Sequence, residues 1–535
     1  MDNIGDQLAR IRTADQGKPR KNVLILGAGM AGLAAAYELV ALGHTVSVIE
    51  ASSRVGGRVM TYRFSDGQYH ELGAMRIPAN HDYTRHYIDV VGLTPKLRRF
   101  ITANENKNCF YYIRGKVARI REASKSLLRE YRLSAHERML VNSNNNVPPA
   151  IFGAHLSNTL KSLSPEDQAS LFGESFLTDR AASLESETLG SFLDHRLESK
   201  DAKELIGATT GLEVWWEIAL SMFLRDEIVG TGDGLQEIAG GMDLLPQSLA
   251  DKLGRNRIRF NTEVVSIALH DTGVMIRTRP TDASRSDQPI PDEECHEEKA
   301  DFVICSIPFS VLRSVELSHL SYLKMLAIRN LNYTSSTKVL LHCKERFWER
   351  GPAHERIVGG ASLSDQITRS TYYPSDHASP APAAAVRREE RAGFRGLFTA
   401  FSREHLSQTA LTDLDESPGP GVLVGSYNWG RDAQRLGALT ANERAEVVVS
   451  VIEKFHPAVR KYVDGHESMF WDSYHWTKGG TFCFMSSGDL RSFYHASIRP
   501  EGRLHFAGEH CSLDQAWIQG ALMSALRATE EVVSA

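Results

Sequence analysis

Several features that would assign a protein quickly are missing from this chain. Its six cysteines, Cys109, Cys295, Cys305, Cys343, Cys483 and Cys511, are scattered and form no CxxC pair. That disfavours a disulfide framework or a zinc site, and fits reduced thiols in the cytoplasm. No apolar run approaches the roughly 18 residues that a membrane-spanning helix needs, so no membrane partner is expected. Lys and Arg total 61 against 66 Asp and Glu, a net charge of -5, so the basic excess of a general nucleic-acid binder is lacking. No internal repeat is visible. Residues 1–22 are polar and lack the apolar core of a secretory signal, so residues 1–20 are read as a flexible leader. What remains is ordinary: 535 residues, 42% hydrophobic and 24% charged. Such a length holds about three domains and a sizeable core.

The richest stretch is residues 23–50, VLILGAGMAGLAAAYELVALGHTVSVIE. An apolar strand at 23–26 runs into Gly27-Ala28-Gly29-Met30-Ala31-Gly32, then a small-residue helix, then a second strand at 45–49 ending in Glu50. Gly27 permits the tight turn, Gly29 lets a pyrophosphate approach the backbone, and Gly32 lets the helix pack closely on the sheet. The helix N-terminus faces the phosphate charge, and Glu50 can accept hydrogen bonds from a ribose. A GxGxxG alone is weak; with both strands, the helix and the acid in place it points to a dinucleotide site.

The following residues, Ala51-Ser52-Ser53-Arg54-Val55-Gly56-Gly57-Arg58 and then His70-Glu71-Leu72-Gly73-Ala74, resemble the E-x(5)-GGR region of the flavin amine oxidase superfamily. The resemblance implies FAD rather than NAD. Gly57 would let the backbone pass the flavin, and Arg58 would contact the diphosphate or ring region. Met30, Ala31, Ala51, Gly73, Ala74 and Met75 fall at cofactor-contact positions; Met242 and Val264 do too, but either can equally be core. Near the C-terminus, Phe506-Ala507-Gly508-Glu509-His510 matches the segment that closes the flavin site, with Glu509 on the ribityl chain. A final helix near 516–529 carries Ala516, Gly520, Ser524 and Ala528 on one face, and its N-terminus can stabilise negative charge on a reduced flavin.

The resemblance spans nearly the whole chain and implies an α/β fold of mixed α+β character. A Rossmann-like FAD-binding domain would be discontinuous over 21–75, 240–322 and 500–535. A substrate-binding domain of the amine-oxidase type would take 76–122 and 323–499, and a helical domain 123–239. Short strands are expected at 258–260, 263–270, 274–279 and 301–307. Loops are expected at 142–149 and 284–299, and an insertion at 374–391.

Within the superfamily, Gly73-Ala74-Met75-Arg76-Ile77-Pro78 resembles the G-x-M-R-x-P stretch of L-amino acid oxidases. A guanidinium there can grip an α-carboxylate through two parallel hydrogen bonds. Tyr427 matches the tyrosine that shares this carboxylate, and Lys338 the lysine that holds a water beside flavin N5 and assists reaction with O2. Trp471 and Trp517 match aromatics near the flavin, and Ala516 and Ile518 flank the latter. The carbonyl of Ala516 could accept from the substrate amine, while Trp476 reads as core. Thr481 stands where covalently flavinylated relatives carry cysteine, which implies noncovalent FAD. Arg225 occupies the place of a helical-domain histidine proposed as base or gate. It cannot act as a base; it either tunes side-chain selectivity or is a solvated helix-face cation. Trp215, Trp216 and Phe223 hint at an apolar pocket but fit a helix core equally well.

These readings imply FAD-dependent oxidative deamination of an L-amino acid by a cytoplasmic homodimer using O2. The open alternatives are an amino acid 2-monooxygenase, an amine or polyamine oxidase, and a non-catalytic FAD-bearing protein.

Overall fold

Asn22–Leu26 (β1) carries four buried aliphatic residues after an exposed Asn22, and Thr45–Ile49 (β2) lies parallel to it, joined by the helix Met30–Ala41 (α2). Parallel neighbours require such a crossover, and both faces of the sheet are then covered, which suits strands without polar alternation. Phe302–Cys305 and Leu504–Phe506 extend the sheet on one side and Ile258–Arg259 on the other, all parallel. Segments far apart in sequence thus build one five-stranded parallel sheet. The structure is a computed structural model and describes residues 3–103, 105–143, 148–173, 177–229, 234–281, 295–378 and 418–535.

A second, seven-stranded sheet has at its centre the strands Ser336–Cys343 and Gly421–Trp429, which pair antiparallel. Val463–Phe470 flanks the first of them, also antiparallel. A run of helices from Ala123 to Val229 packs its buried Phe152, Leu189, Phe192 and Leu205 in the same core as Val339, Leu341 and Leu423 of this sheet. None of the described helices is long and apolar enough to cross a membrane.

Three expectations need correction. The chain start is not a flexible leader: Ile4–Asp15 (α1) is a helix, capped by Asn3 Oδ1 on the Asp6 amide, with Leu8 and Ile11 buried in the core that holds Val532 and Val533. Lys21 Nζ donates to the carbonyls of Val532 (2.5 Å) and Val533 (3.3 Å), satisfying the open end of the C-terminal helix. Its few apolar residues, spaced one helical turn apart in a polar segment, conceal this packing. Second, the expected loop 284–299 ends in a strand: His296–Ala300 pairs antiparallel with Gly273–Pro280, and 282–294 lie outside the described residues. Its polar residues reflect an edge position, where Glu298 pairs with Arg259. Third, the last helix spans Ile518–Ser534 and begins after Ala516, which has a left-handed backbone (φ +67°). Most of the expected insertion (379–391) and residues 144–147 also lie outside the described residues.

Candidate active site

A cavity of about 210 Å³ opens between the parallel sheet and the second sheet. Its wall begins at the turn between β1 and α2. Gly27 takes φ +99° there, and an ideal Cβ on Gly32 would lie 1.9 Å from the Gly27 carbonyl oxygen. Only glycine at position 32 lets the helix start this close to the strand. Gly29 caps α2 without a side chain, so the first-turn amides at Met30 and Ala31 have no side-chain acceptor, and all three residues line the cavity. The C-terminal helix repeats the arrangement: Trp517 caps it with no side-chain bond, and Trp517 and Ile518 also line the wall. Two uncapped helix N-termini therefore direct positive dipole ends at one cavity.

The polar groups between them are held firmly. Glu50 accepts from the Ala28 amide (2.7 Å), the Ser52 amide (2.9 Å) and Ser52 Oγ (2.7 Å). Arg58 donates to Glu509 at 2.6 Å and to the Thr481 carbonyl at 3.3 Å. Glu509 also accepts from the amides of Cys483 and Ala516, which fixes the turn ahead of the C-terminal helix. Thr481 Oγ1 is buried without a hydrogen-bond partner among the described residues. The donor-rich turn, the second helix end and this orphaned hydroxyl suit an elongated ligand that is anionic in the middle and polar at one end. That is the form of FAD, and the glycine turn, Glu50, Arg58, Thr481 and Trp517 are the groups placed to hold it.

At the cavity's other wall stands Lys338, only 1% exposed. It sits directly opposite Tyr427 across the two central strands, and its Nζ lies 4.3 Å from the centre of that ring. Nζ donates to the carbonyls of Glu71 (3.1 Å) and Gly73 (2.6 Å) and contacts Met75 Sδ (3.4 Å). Burial pushes its pKa down, Glu71 opposes this and the Arg76 charge adds to it. Burial raises the Tyr427 phenol, and Arg76 pulls against it. Arg76 itself is half-buried, and its field reaches both residues although it is not among the cavity's lining residues.

Of the residues singled out from sequence, Gly27, Gly29, Met30, Ala31, Glu50, Ala51, Gly57, Arg58, Gly73, Ala74, Val264, Lys338, Tyr427, Trp471, Thr481, Gly508, Glu509, Ala516, Trp517 and Ile518 line the cavity. Gly32, Met75, Arg76 and Arg225 do not. Gly32 acts through packing, and Met75 lies behind Lys338. Arg225 is neither in the cavity wall nor solvated. It is 3% exposed, donates to the Leu171 carbonyl (3.4 Å), and feels Asp226, Asp514, Tyr494 and Glu185. Its helix, Leu220–Val229, turns that face toward the chain before the C-terminal helix, which the single sequence position could not reveal. Met242 is fully buried, its amide donating to Glu71.

Sequence reasoning missed Arg54, which lines the cavity and donates to the Gly57 carbonyl at 2.5 Å, bracing the double-glycine turn. Trp476, read as core, lines the cavity. Trp215 stacks on the lining residue Phe482 (5.4 Å, 20°) and meets Trp429 (5.6 Å), which lies 4.4 Å from Tyr427. An apolar aromatic wall therefore adjoins the lysine and tyrosine. Of its members, Trp215 was among the residues that hinted at an apolar pocket in the sequence; Trp429 and Phe482 gave no such signal.

Known proteins share this fold. Among solved structures, putrescine oxidase bound to putrescine superposes with a TM-score of 0.69 at 17% identity, covering 97% of this chain and all of that one. Cyclohexylamine oxidase from Brevibacterium oxydans IH-35A gives 0.67 at 17% identity, covering 96% and 99%; both show the shared fold. In sequence, the flavin-dependent L-tryptophan oxidase RebO of Lentzea aerocolonigenes is 33% identical over 96% of this chain and 98% of its own. The putative L-amino-acid oxidase YobN of Bacillus subtilis (strain 168) is 30% identical over 96% and 94%. The profile of flavin containing amine oxidoreductases matches residues 30–533, and the chain belongs to that family.

Proposed function

We propose that this protein is an FAD-dependent L-amino acid oxidase that converts its substrate to a 2-oxo acid, ammonia and H2O2. The observation that carries the reading is Lys338 opposite Tyr427 at the cavity wall, with the half-buried Arg76 three residues past Gly73, whose carbonyl accepts from Lys338 Nζ. A plain amine has no use for a fixed cation there, whereas a zwitterion does. Relatives named as L-tryptophan and L-amino-acid oxidases, similar along nearly the whole chain, support the same reading.

FAD held by the glycine turn, Glu50, Arg58 and Trp517 would supply the two-electron redox chemistry. The chain supplies orientation. Arg76 and the Tyr427 hydroxyl hold the carboxylate, so that Cα is fixed toward the cavity floor. Phe482 in the cavity wall, backed by Trp215 and through it Trp429, offers an aromatic surface to a large apolar side chain. Lys338, buried at the cavity wall, attracts in its protonated form the negative charge that develops on oxygen. We therefore assign neutral aromatic L-amino acids as the preferred substrates.

The test is anaerobic mixing of the purified yellow protein with each L- and D-amino acid and the matching amines. L-tryptophan, L-phenylalanine and L-tyrosine should bleach the flavin, with oxo acid and peroxide formed one to one in air. Bleaching by amines alone, or an amide product without peroxide, would refute the assignment. A homodimer in the cytoplasm belongs to the same proposal; sedimentation of the holoenzyme at a single protomer mass would exclude the dimer.

A further inference from the structure

The strand Tyr69–Glu71 (β4) lines a second and much smaller chamber of about 30 Å³. It is room for two waters at most. His70 and Glu71 form part of its wall, and the ion pairs Arg98–Glu237 (2.7 Å) and Arg346–Asp376 (2.6 Å) form much of the rest. Glu71 lines this chamber and contacts Lys338, which lines the larger cavity. Its carbonyl accepts from Lys338 Nζ at 3.1 Å, while its carboxyl, 4% exposed, accepts from Thr61 Oγ1 (2.8 Å) and the Met242 amide (2.9 Å).

Lys338 forms no ion pair among the described residues, an unusual condition for a buried ammonium. Glu71 is the one acid whose charge acts on it; Arg76 acts in the opposite sense, and the buried Tyr427 phenol lies against it. Around Glu71 itself stand Lys338, Asp243 in the turn before the helix Leu244–Leu253, and Arg63 on Thr61–Arg63 (β3), whose guanidinium is paired with Asp243. The Tyr69 phenol, which accepts from the Gly240 amide (2.6 Å) and from Arg98 Nη2 (3.1 Å), and His70, whose Nδ1 accepts from the Glu71 amide, complete the shell.

We propose that Glu71 is a positioning residue of this site: its carboxyl, held by Thr61 and Met242 beside the main-chain carbonyl that accepts from Lys338 Nζ, sets the charge that Lys338 carries. Burial disfavours the charge on both groups, raising Glu71 and lowering Lys338. Two protons on two interacting groups leave in two steps that belong to the pair. While Glu71 is ionised, Lys338 keeps its proton to higher pH than it could alone.

This inference rests on the reading that Lys338 faces the bound flavin, so the test separates the two. Holoenzyme reduced with dithionite, with no amino acid present, is mixed with O2 across pH, and the resting flavin spectrum is titrated over the same range. Glu71→Gln keeps acceptor and donor for Met242 and Thr61 but removes the charge. The alkaline midpoints of both the reoxidation profile and the spectral titration should move down by at least about one pH unit, roughly tenfold in proton affinity. Thr61→Val strips one bond from the carboxylate and should shift them in the same direction by less. Lys338→Met should erase both inflections. If Glu71→Gln superimposes on wild type while Lys338→Met loses the inflection, the proposal is overturned; should Glu71→Gln lose its flavin, an unmoved Thr61→Val overturns it equally. If no amino acid bleaches the flavin, the oxidase reading fails while this measurement still decides the role of Glu71.

Discussion

Replacement of Arg76 by methionine should lower kcat/KM for an aromatic L-amino acid by roughly 10²-fold or more, with FAD still bound. Two charge-assisted hydrogen bonds to a carboxylate are worth about 1.5–3 kcal/mol each. The group is half-exposed, so a total of about 3 kcal/mol is the safer figure, and about 1.4 kcal/mol corresponds to tenfold. The loss should appear in the anaerobic reduction step, because orientation of Cα precedes hydride transfer. Tyr427→Phe removes one neutral donor and should cost about tenfold. A sharper sign is selectivity. Wild type should prefer tryptophan to tryptamine strongly, and Arg76→Met should nearly abolish that preference by penalising only the carboxylate-bearing substrate. If stopped-flow reduction by tryptophan is unchanged within twofold, the carboxylate clamp lies elsewhere. Methionine at 76 also removes a charge that pulls Lys338 down, so the alkaline limb of reoxidation should move up slightly.

The parallel-sheet half of the fold was legible because its signals are local. A strand, glycine turn, helix and acid follow one another within 28 residues, and each glycine answers a backbone demand that is visible in the sequence. The family resemblance supplied the distant pieces, and its glutamate at 509 and tryptophan at 517 do stand in one cavity wall with Gly29. What local reading could not supply was partnership across the chain. Arg225 looked equally suited to pocket or solvent, and its burial against Leu171 and near Asp514 depends on how a helix turns in the assembled protein. The helix Ile4–Asp15 was missed because its two core residues, Leu8 and Ile11, matter only once the C-terminal helix is beside them. Trp476 read as core because an aromatic residue satisfies a core and a cavity wall alike. Glu71 was visible only as part of a motif, since its interest comes from a lysine 267 positions away.

The charges around the cavity show why these distant contacts matter. Arg54 and Arg58 lie on the glycine-turn side, Arg58 neutralised by Glu509, whereas Lys338 stands on the opposite wall without an ion pair among the described residues. A cation compensated by contact is locked, and one compensated at a distance stays responsive to its surroundings.

Lys338→Met should therefore separate the two halves of the catalytic cycle. Reduction of the flavin by amino acid should fall only modestly, because the carboxylate clamp and the aromatic wall are untouched. Reoxidation by O2 should slow by roughly 10²-fold, the usual consequence of removing one preorganised charge from a dry site. Methionine retains the stem's packing against Tyr427, but the Glu71 and Gly73 carbonyls lose their donor. Buried acceptors left unsatisfied cost about 1–3 kcal/mol each, so a lower Tm should accompany the kinetic change. Lys338→Arg distinguishes charge from this structural cost. A guanidinium keeps its proton throughout the accessible range, so the variant should reoxidise with a flat pH profile even where its absolute rate suffers from a poorer fit. Equal slowing of both half-reactions in Lys338→Met, or a flat wild-type profile, would remove the lysine from the oxygen reaction and leave it the task of tying Glu71 and Gly73 to the second sheet.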